Sequence, residues 1–142
     1  MEDNLQGLII GLDFDGTVVT HDYPSLGKPI PGAIKVLTKL VASGAKICLN
    51  TMRSGKTLDE AVDYLINNGI PLYGINCNPT QKEWTDSPKV YANLYIDDAG
   101  LGAPTLFDID FHSRPFLCWK SVEKMIYTEG MITGERFNPH PV

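Results

Sequence analysis

Basic charge is scarce in this sequence: 12 Lys and Arg stand against 17 Asp and Glu, for a formal net charge of -5 over 142 residues. That balance argues against a chain-wide nucleic-acid surface, which needs clustered cations to meet phosphates. Cysteine is scarce too. Cys48, Cys77 and Cys118 are odd in number, widely spaced and without a C-x-x-C pair, which excludes a disulfide framework and a thiolate zinc site. No apolar stretch approaches the roughly 20 residues that a membrane-spanning helix needs. The opening MEDNLQG has neither the basic nor the apolar region of a secretory signal. A cytoplasmic chain with reduced thiols is therefore expected. Repeats, low-complexity tracts and linkers are also lacking, so residues 1–142 read as a single domain.

Against these absences stands a regular alternation. Leu8 to Phe14 is a short, nearly continuous apolar run, the pattern of a strand buried on both faces. Residues 16–31, rich in Gly, Pro, His and Asp, predict an irregular excursion or small hairpin. Pro31 suits a helix start, Ala33, Ile34, Leu37, Leu40 and Val41 recur at helical spacing, and Gly44 suits its end. Ala45 to Leu49 predicts a second strand. Thr57 and Glu60 form a T-x-x-E capping box before a second helix, which Gly69 closes. Pro71 to Ile75 and "YANLYIDD" predict two more strands, separated by the polar, proline-broken "NCNPTQKEWTDSPK", a loop with at most a short helical turn. A strand near Thr105–Ile109, a helix near Trp119–Tyr127 and a loose tail "GERFNPHPV" complete the chain. Strand–helix–strand alternation predicts parallel units with right-handed crossovers, hence a Rossmann-like three-layer α/β/α fold.

In such sheets ligands bind at the carboxyl ends of the strands. Asp13, Asp15, Thr51, Asp97 and Asp98 all fall at predicted strand ends. Four carboxylates brought to one edge repel unless a cation neutralises them. Mg²⁺, a hard cation that takes one or two carboxylates and keeps positions for water and phosphate, suits that donor set. Gly16, directly after the second aspartate, lets the backbone turn tightly and present N–H groups to an anion. The two aspartates then take different tasks. One carboxylate attacks phosphorus; the other, two residues along, moves protons.

"DFDGTVV" resembles the first motif, D-x-D-G-T, of the haloacid dehalogenase-like phosphohydrolases. "ICLNT" resembles their second motif and "NLYIDD" their fourth, in the family's order, over roughly residues 7–100. The resemblance implies that Asp13 is the nucleophile and Asp15 the acid/base. It implies Mg²⁺ held by Asp13, Asp98 and the Asp15 backbone carbonyl, with Asp97 in its outer shell or sharing the work. It places Gly16, Thr17, Thr51 and a lysine around the phosphoryl group; Lys89 is the best-placed lysine and Lys82 competes with it. "TMRSGKTLDEAVDYL" further resembles small bacterial and phage members. There an Arg follows the second motif, so Met52 and Arg53 become candidate substrate contacts.

Neither gap between motifs has room for the cap domain usual in that family, so a capless core is expected. Its substrate would be a phosphorylated small molecule, a nucleotide, or a phosphate exposed on a nucleic-acid end or a protein. Either the pocket stays open or a second copy of the chain supplies a lid. Asp108, Asp110 and His112 alternate as "DIDFH" and favour a solvated face over a second metal site. His21 and His140 read as surface residues, Trp84 and Trp119 as packing, and Cys48 as core. Competing functions are a phospho-receiver domain, whose chain order of acids and lysine differs, and a non-catalytic binding domain on the same type of fold.

Overall fold

The computed structural model describes residues 5–128. The tail "GERFNPHPV" and His140 lie outside the described residues. Four short strands, β1 (Ile9–Leu12), β2 (Lys46–Leu49), β3 (Gly74–Ile75) and β4 (Leu94–Ile96), form one parallel sheet in the order β3-β2-β1-β4. The register pairs Ile10 with both Ile47 and Leu94, and Leu12 with both Leu49 and Ile96. β1 is thus central and buried throughout, as its unbroken apolar run requires. A two-stranded antiparallel ribbon, β5 (Thr105–Leu106) with β6 (Phe116–Leu117), precedes α3 (Trp119–Glu123), which runs on into a π-helical turn at Lys124–Thr128.

The helices α1 (Ala33–Ala42) and α2 (Gly55–Asn67) bridge β1 to β2 and β2 to β3. Both steps move the same way across the sheet, so right-handed crossovers set both helices on one face. Their buried residues Val36, Leu37, Leu40, Ala61 and Leu65 share one core with Ile10, Leu12, Ile47 and Leu49 of the sheet and with Trp119 and Val122 of α3. α2 begins three residues before the expected box: Ser54 is its N-cap, and Thr57 takes the third helical position, accepting from the Ser54 N–H at 3.4 Å. The Thr57 hydroxyl donates to the Ser54 carbonyl, so Thr57 is used inside the first turn rather than before it.

The parallel sheet and its helices are consistent with the expected Rossmann-like α/β fold, but the opposite face departs from the expected third layer. Among the described residues it carries no α-helix. Ile9, Cys48 and Val90 form a small separate cluster there with Tyr73 and Ala92, covered by the connection 76–93, whose regular content is one 3-10 turn at Gln81–Glu83. Pro79 and Pro88 and the intervening polar residues forbid a continuous helix. The buried Gln81 side chain organises this loop: its Nε2 donates to the carbonyls of Ser87 and Lys89, and its Oε1 accepts from the Tyr91 N–H. Gly11 leaves room on this face for Tyr95, since a Cβ at Gly11 would lie 2.7 Å from the Tyr95 ring. The excursion after β1 is a small hairpin, with Val19 bridging both Asp15 and Pro29.

Candidate functional site

Every strand of the parallel sheet contributes its carboxyl end. Asp13 follows β1 directly, its N–H donating to the Ile96 carbonyl at 3.0 Å. Asn50 and Thr51 follow β2, and Asp97 and Asp98 follow β4. A cleft of about 560 Å³ opens there, lined by Asp13, Asp15, His21, Thr51, Asp97 and Asp98, together with Asn50, Met52 and the Ala99–Gly100 segment. Asn76, just past β3, braces the floor: its Oδ1 accepts from the Thr51 N–H at 2.8 Å. Asn76 has a φ of 53°, a left-handed conformation that Asn tolerates better than most residues.

Asp13 is the most perturbed carboxyl. Its pKa is pushed up to about 7, first by burial and further by the hydrogen bond and charge of Asp98; the Thr17 hydroxyl and the Phe14 backbone oppose the rise. Thr17 is fully buried and donates to Asp13 Oδ2 at 2.7 Å. It therefore orients Asp13 and is not open to a substrate, a correction to the expected role. Its own carbonyl accepts from Trp119 Nε1, so α3 reaches the site through one buried contact.

Asp15 points elsewhere. Both its oxygens accept from Arg53, Nε to Oδ2 and Nη2 to Oδ1, each at 2.8 Å. Arg53 is only 1% exposed. It also donates to the carbonyls of Ser25, Pro24 and Thr57, and its guanidinium lies 5.2 Å from the Phe14 ring centroid and 5.3 Å from that of Tyr23. Arg53 is thus a buried clamp joining the β1 loop, the hairpin and α2, and the substrate-contact expectation is corrected. Met52, by contrast, is 98% exposed on the cleft rim.

Neither lysine lines the cleft. Lys89 sits over the Tyr95 ring at 5.4 Å, on the loop-covered face, and Lys82 belongs to the 3-10 turn of that loop. The chain rises to the site only after Asn93, whose Oδ1 accepts from the Ile9 N–H at the amino end of β1. Asp97 is also committed: its Oδ1 accepts from the N–H groups of Ala99, at 3.0 Å, and Gly100, at 2.6 Å, fixing the turn after β4.

His21, read from the sequence as a surface residue, lies inside the site, its Nε2 2.6 Å from Asp98 Oδ2. Asp108 caps the Asp110 N–H and His112 pairs with Asp22. Cys48 is buried, its thiol pushed up to about 11 by that burial.

Among the described residues no three His, Cys, Asp or Glu side chains are arranged to hold a metal jointly. Mg²⁺ needs fewer: one or two carboxylates, the rest being waters and ligand oxygens. Asp13 and Asp98, a half-buried carboxyl pair lining the same cleft, fit that requirement.

The fold and the cleft define a class: a parallel α/β domain with an acidic pocket at the strand carboxyl ends. No family model and no curated protein matches the chain. It is similar to a solved structure described as that of a conserved protein coded by a locus of Bacteroides thetaiotaomicron. The two share 31% identity with a TM-score of 0.71 over 87% of this chain and 93% of that one. The chain belongs to the same family as that conserved protein. Among the described residues no helix is long and apolar enough to cross a membrane.

Proposed function

We propose that this chain is a capless haloacid dehalogenase-like phosphatase, Mg²⁺-dependent and acting on a phosphomonoester. The observation that carries the reading is the half-buried Asp13–Asp98 pair, at the ends of adjacent strands and lining one cleft. Two carboxyls held together, one pushed up to about 7, repel wherever both ionise, and a divalent cation relieves that repulsion.

Asp13 and Asp98 would hold the cation, with the Asp15 carbonyl beside them. When bound, it would neutralise phosphoryl oxygens. The residues of the chain do the rest. An Asp13 carboxylate oxygen attacks phosphorus, the ester P–O bond breaks, and the departing oxygen takes a proton from Asp15. Water then attacks the aspartyl-phosphate and gives its proton to Asp15. The bond between phosphorus and Asp13 breaks, releasing inorganic phosphate. Thr17 holds Asp13 in aim throughout. The Thr51 hydroxyl, on the lining, donates to a phosphoryl oxygen. Asp15 carries its proton only after one of its oxygens leaves Arg53.

A second reading, a phosphate- or metal-binding domain without turnover, draws support from the lining, where no Lys or Arg appears among the described residues. Hydrolysis of an aryl phosphate with Mg²⁺ and with EDTA separates the two. Mg²⁺-dependent release that vanishes in Asp13→Asn supports the phosphatase; Mg²⁺ binding without release supports the binding domain.

A further inference from the structure

The hairpin after β1 carries a side chain to the acidic cleft that none of the catalytic steps uses. His21 Nε2 lies 2.6 Å from Asp98 Oδ2, with the two side chains 20% and 15% exposed. A carboxylate only accepts, so Nε2 donates. The placement is firm on both sides in sequence. The Thr20 N–H donates to the Lys28 carbonyl, and the Thr20 hydroxyl accepts from the Lys28 N–H and donates to Asp22. Asp22 in turn pairs with His112 at 3.2 Å. The backbone beneath is shaped for the contact. Gly16 has a φ of 82°, and a Cβ there would lie 2.0 Å from His21 Nε2 and 2.2 Å from Asp98 Oδ2. Glycine at this position is what allows the imidazole and the carboxylate to meet against the main chain.

Asp98 therefore touches His21 and Asp13 at once. A carboxylate that binds a cation loses rotational freedom, and a fixed donor on its other oxygen removes that cost beforehand. We infer that His21 is a positioning residue for Mg²⁺, orienting the Asp98 carboxylate through the Nε2–Oδ2 hydrogen bond. The inference rests on the metal-dependent reading given above. It assigns His21 no contact with substrate and no proton transfer.

The test is the affinity for Mg²⁺ alone, read from the rise of melting temperature as Mg²⁺ is titrated into the full chain. Two variants of similar polarity divide the outcomes. His21→Gln keeps an amide N–H near the Nε2 position, whereas His21→Asn is too short to reach Asp98. His21→Asn is expected to weaken Mg²⁺ binding about tenfold or more, the scale found when an outer partner of a metal ligand is removed. His21→Gln is expected to stay within about threefold of the parent, being a smaller perturbation of the same contact. Equal affinities in parent and His21→Asn overturn the inference, as does equal weakening in both variants. So does a lower metal-free melting temperature with unchanged affinity, which marks a purely structural role. A parent chain that shows no response to Mg²⁺ overturns the metal-dependent reading itself, and the inference with it.

Discussion

Arg53 grips both carboxylate oxygens of Asp15, at 2.8 Å on each side, from a position almost closed to solvent. A buried guanidinium stripped of its partner, or a carboxylate stripped of its guanidinium, is left with an uncompensated charge. Arg53→Ala is therefore expected to destabilise the fold by about 3–5 kcal/mol, measured by urea unfolding. Arg53→Lys keeps the charge but not the two-pronged geometry and should recover only part of that loss. In a double-mutant cycle, Arg53→Ala made in an Asp15→Ala background should cost clearly less than in the parent. Equal costs in both backgrounds would show that Arg53 acts through Pro24, Ser25 and Thr57 rather than through Asp15.

The pH dependence follows from Asp13. Its pKa is pushed up to about 7 in the fold, against 3.8 ordinarily. The folded chain thus holds a proton that the unfolded chain has released. Stability from this group is fully present below the ordinary value and is lost as pH rises from about 4 to about 7. Asp13→Asn, which cannot ionise, removes that slope. In EDTA at pH 8 the variant is expected to melt several degrees above the parent, with the difference shrinking toward pH 4. Thermal melts of both proteins across pH check it; parallel curves would place the raised carboxyl elsewhere.

The lysines are expected to be silent in chemistry. With Lys89 stacked on Tyr95 and Lys82 in the 3-10 turn, both away from the lining of the cleft, Lys89→Ala and Lys82→Ala should each leave kcat within about twofold. Loss of one preorganised contact to the transition state costs far more, on the order of 10²-fold or beyond. A loss of that size in either variant would mean that the 76–93 loop folds over the site during turnover.

Much of the site was legible because its signals are local. Asp13, Asp97 and Asp98 end short apolar runs, and the alternation of strands and helices is enough to bring such ends together on one edge. The roles of Thr17 and Arg53 were not legible. Whether a hydroxyl or a guanidinium faces the cleft or its floor depends on how the hairpin packs, and periodicity carries no record of that. His21 lay in an aperiodic stretch where any polar residue reads as solvated. One signal pointed to it in retrospect, the Gly16 that closes the D-x-D-G turn, because a residue without a side chain implies a close neighbour. The helix-free face was legible in part: prolines and polar residues in 76–89 predicted a loop between the third and fourth strands, while the three-layer expectation followed from the strand–helix alternation elsewhere in the chain. Lys89 was misplaced because nearness in sequence to β4 says nothing about which end of the strand a side chain occupies.

The thin side of the sheet has a dynamic consequence. The face bearing α1, α2 and α3 shares one large core, whereas the other rests on Ile9, Cys48 and Val90 under a loop tied down largely through Gln81. Regions with few apolar contacts open first in native-state fluctuations. Cys48, buried beneath that loop, becomes a built-in clock for such openings, since a thiol reagent reaches it only when the loop lifts away. The strand that carries Cys48 runs straight on to Asn50 and Thr51 at the cleft, so its labelling rate with and without Mg²⁺ reports whether loading one edge of the sheet quiets the other.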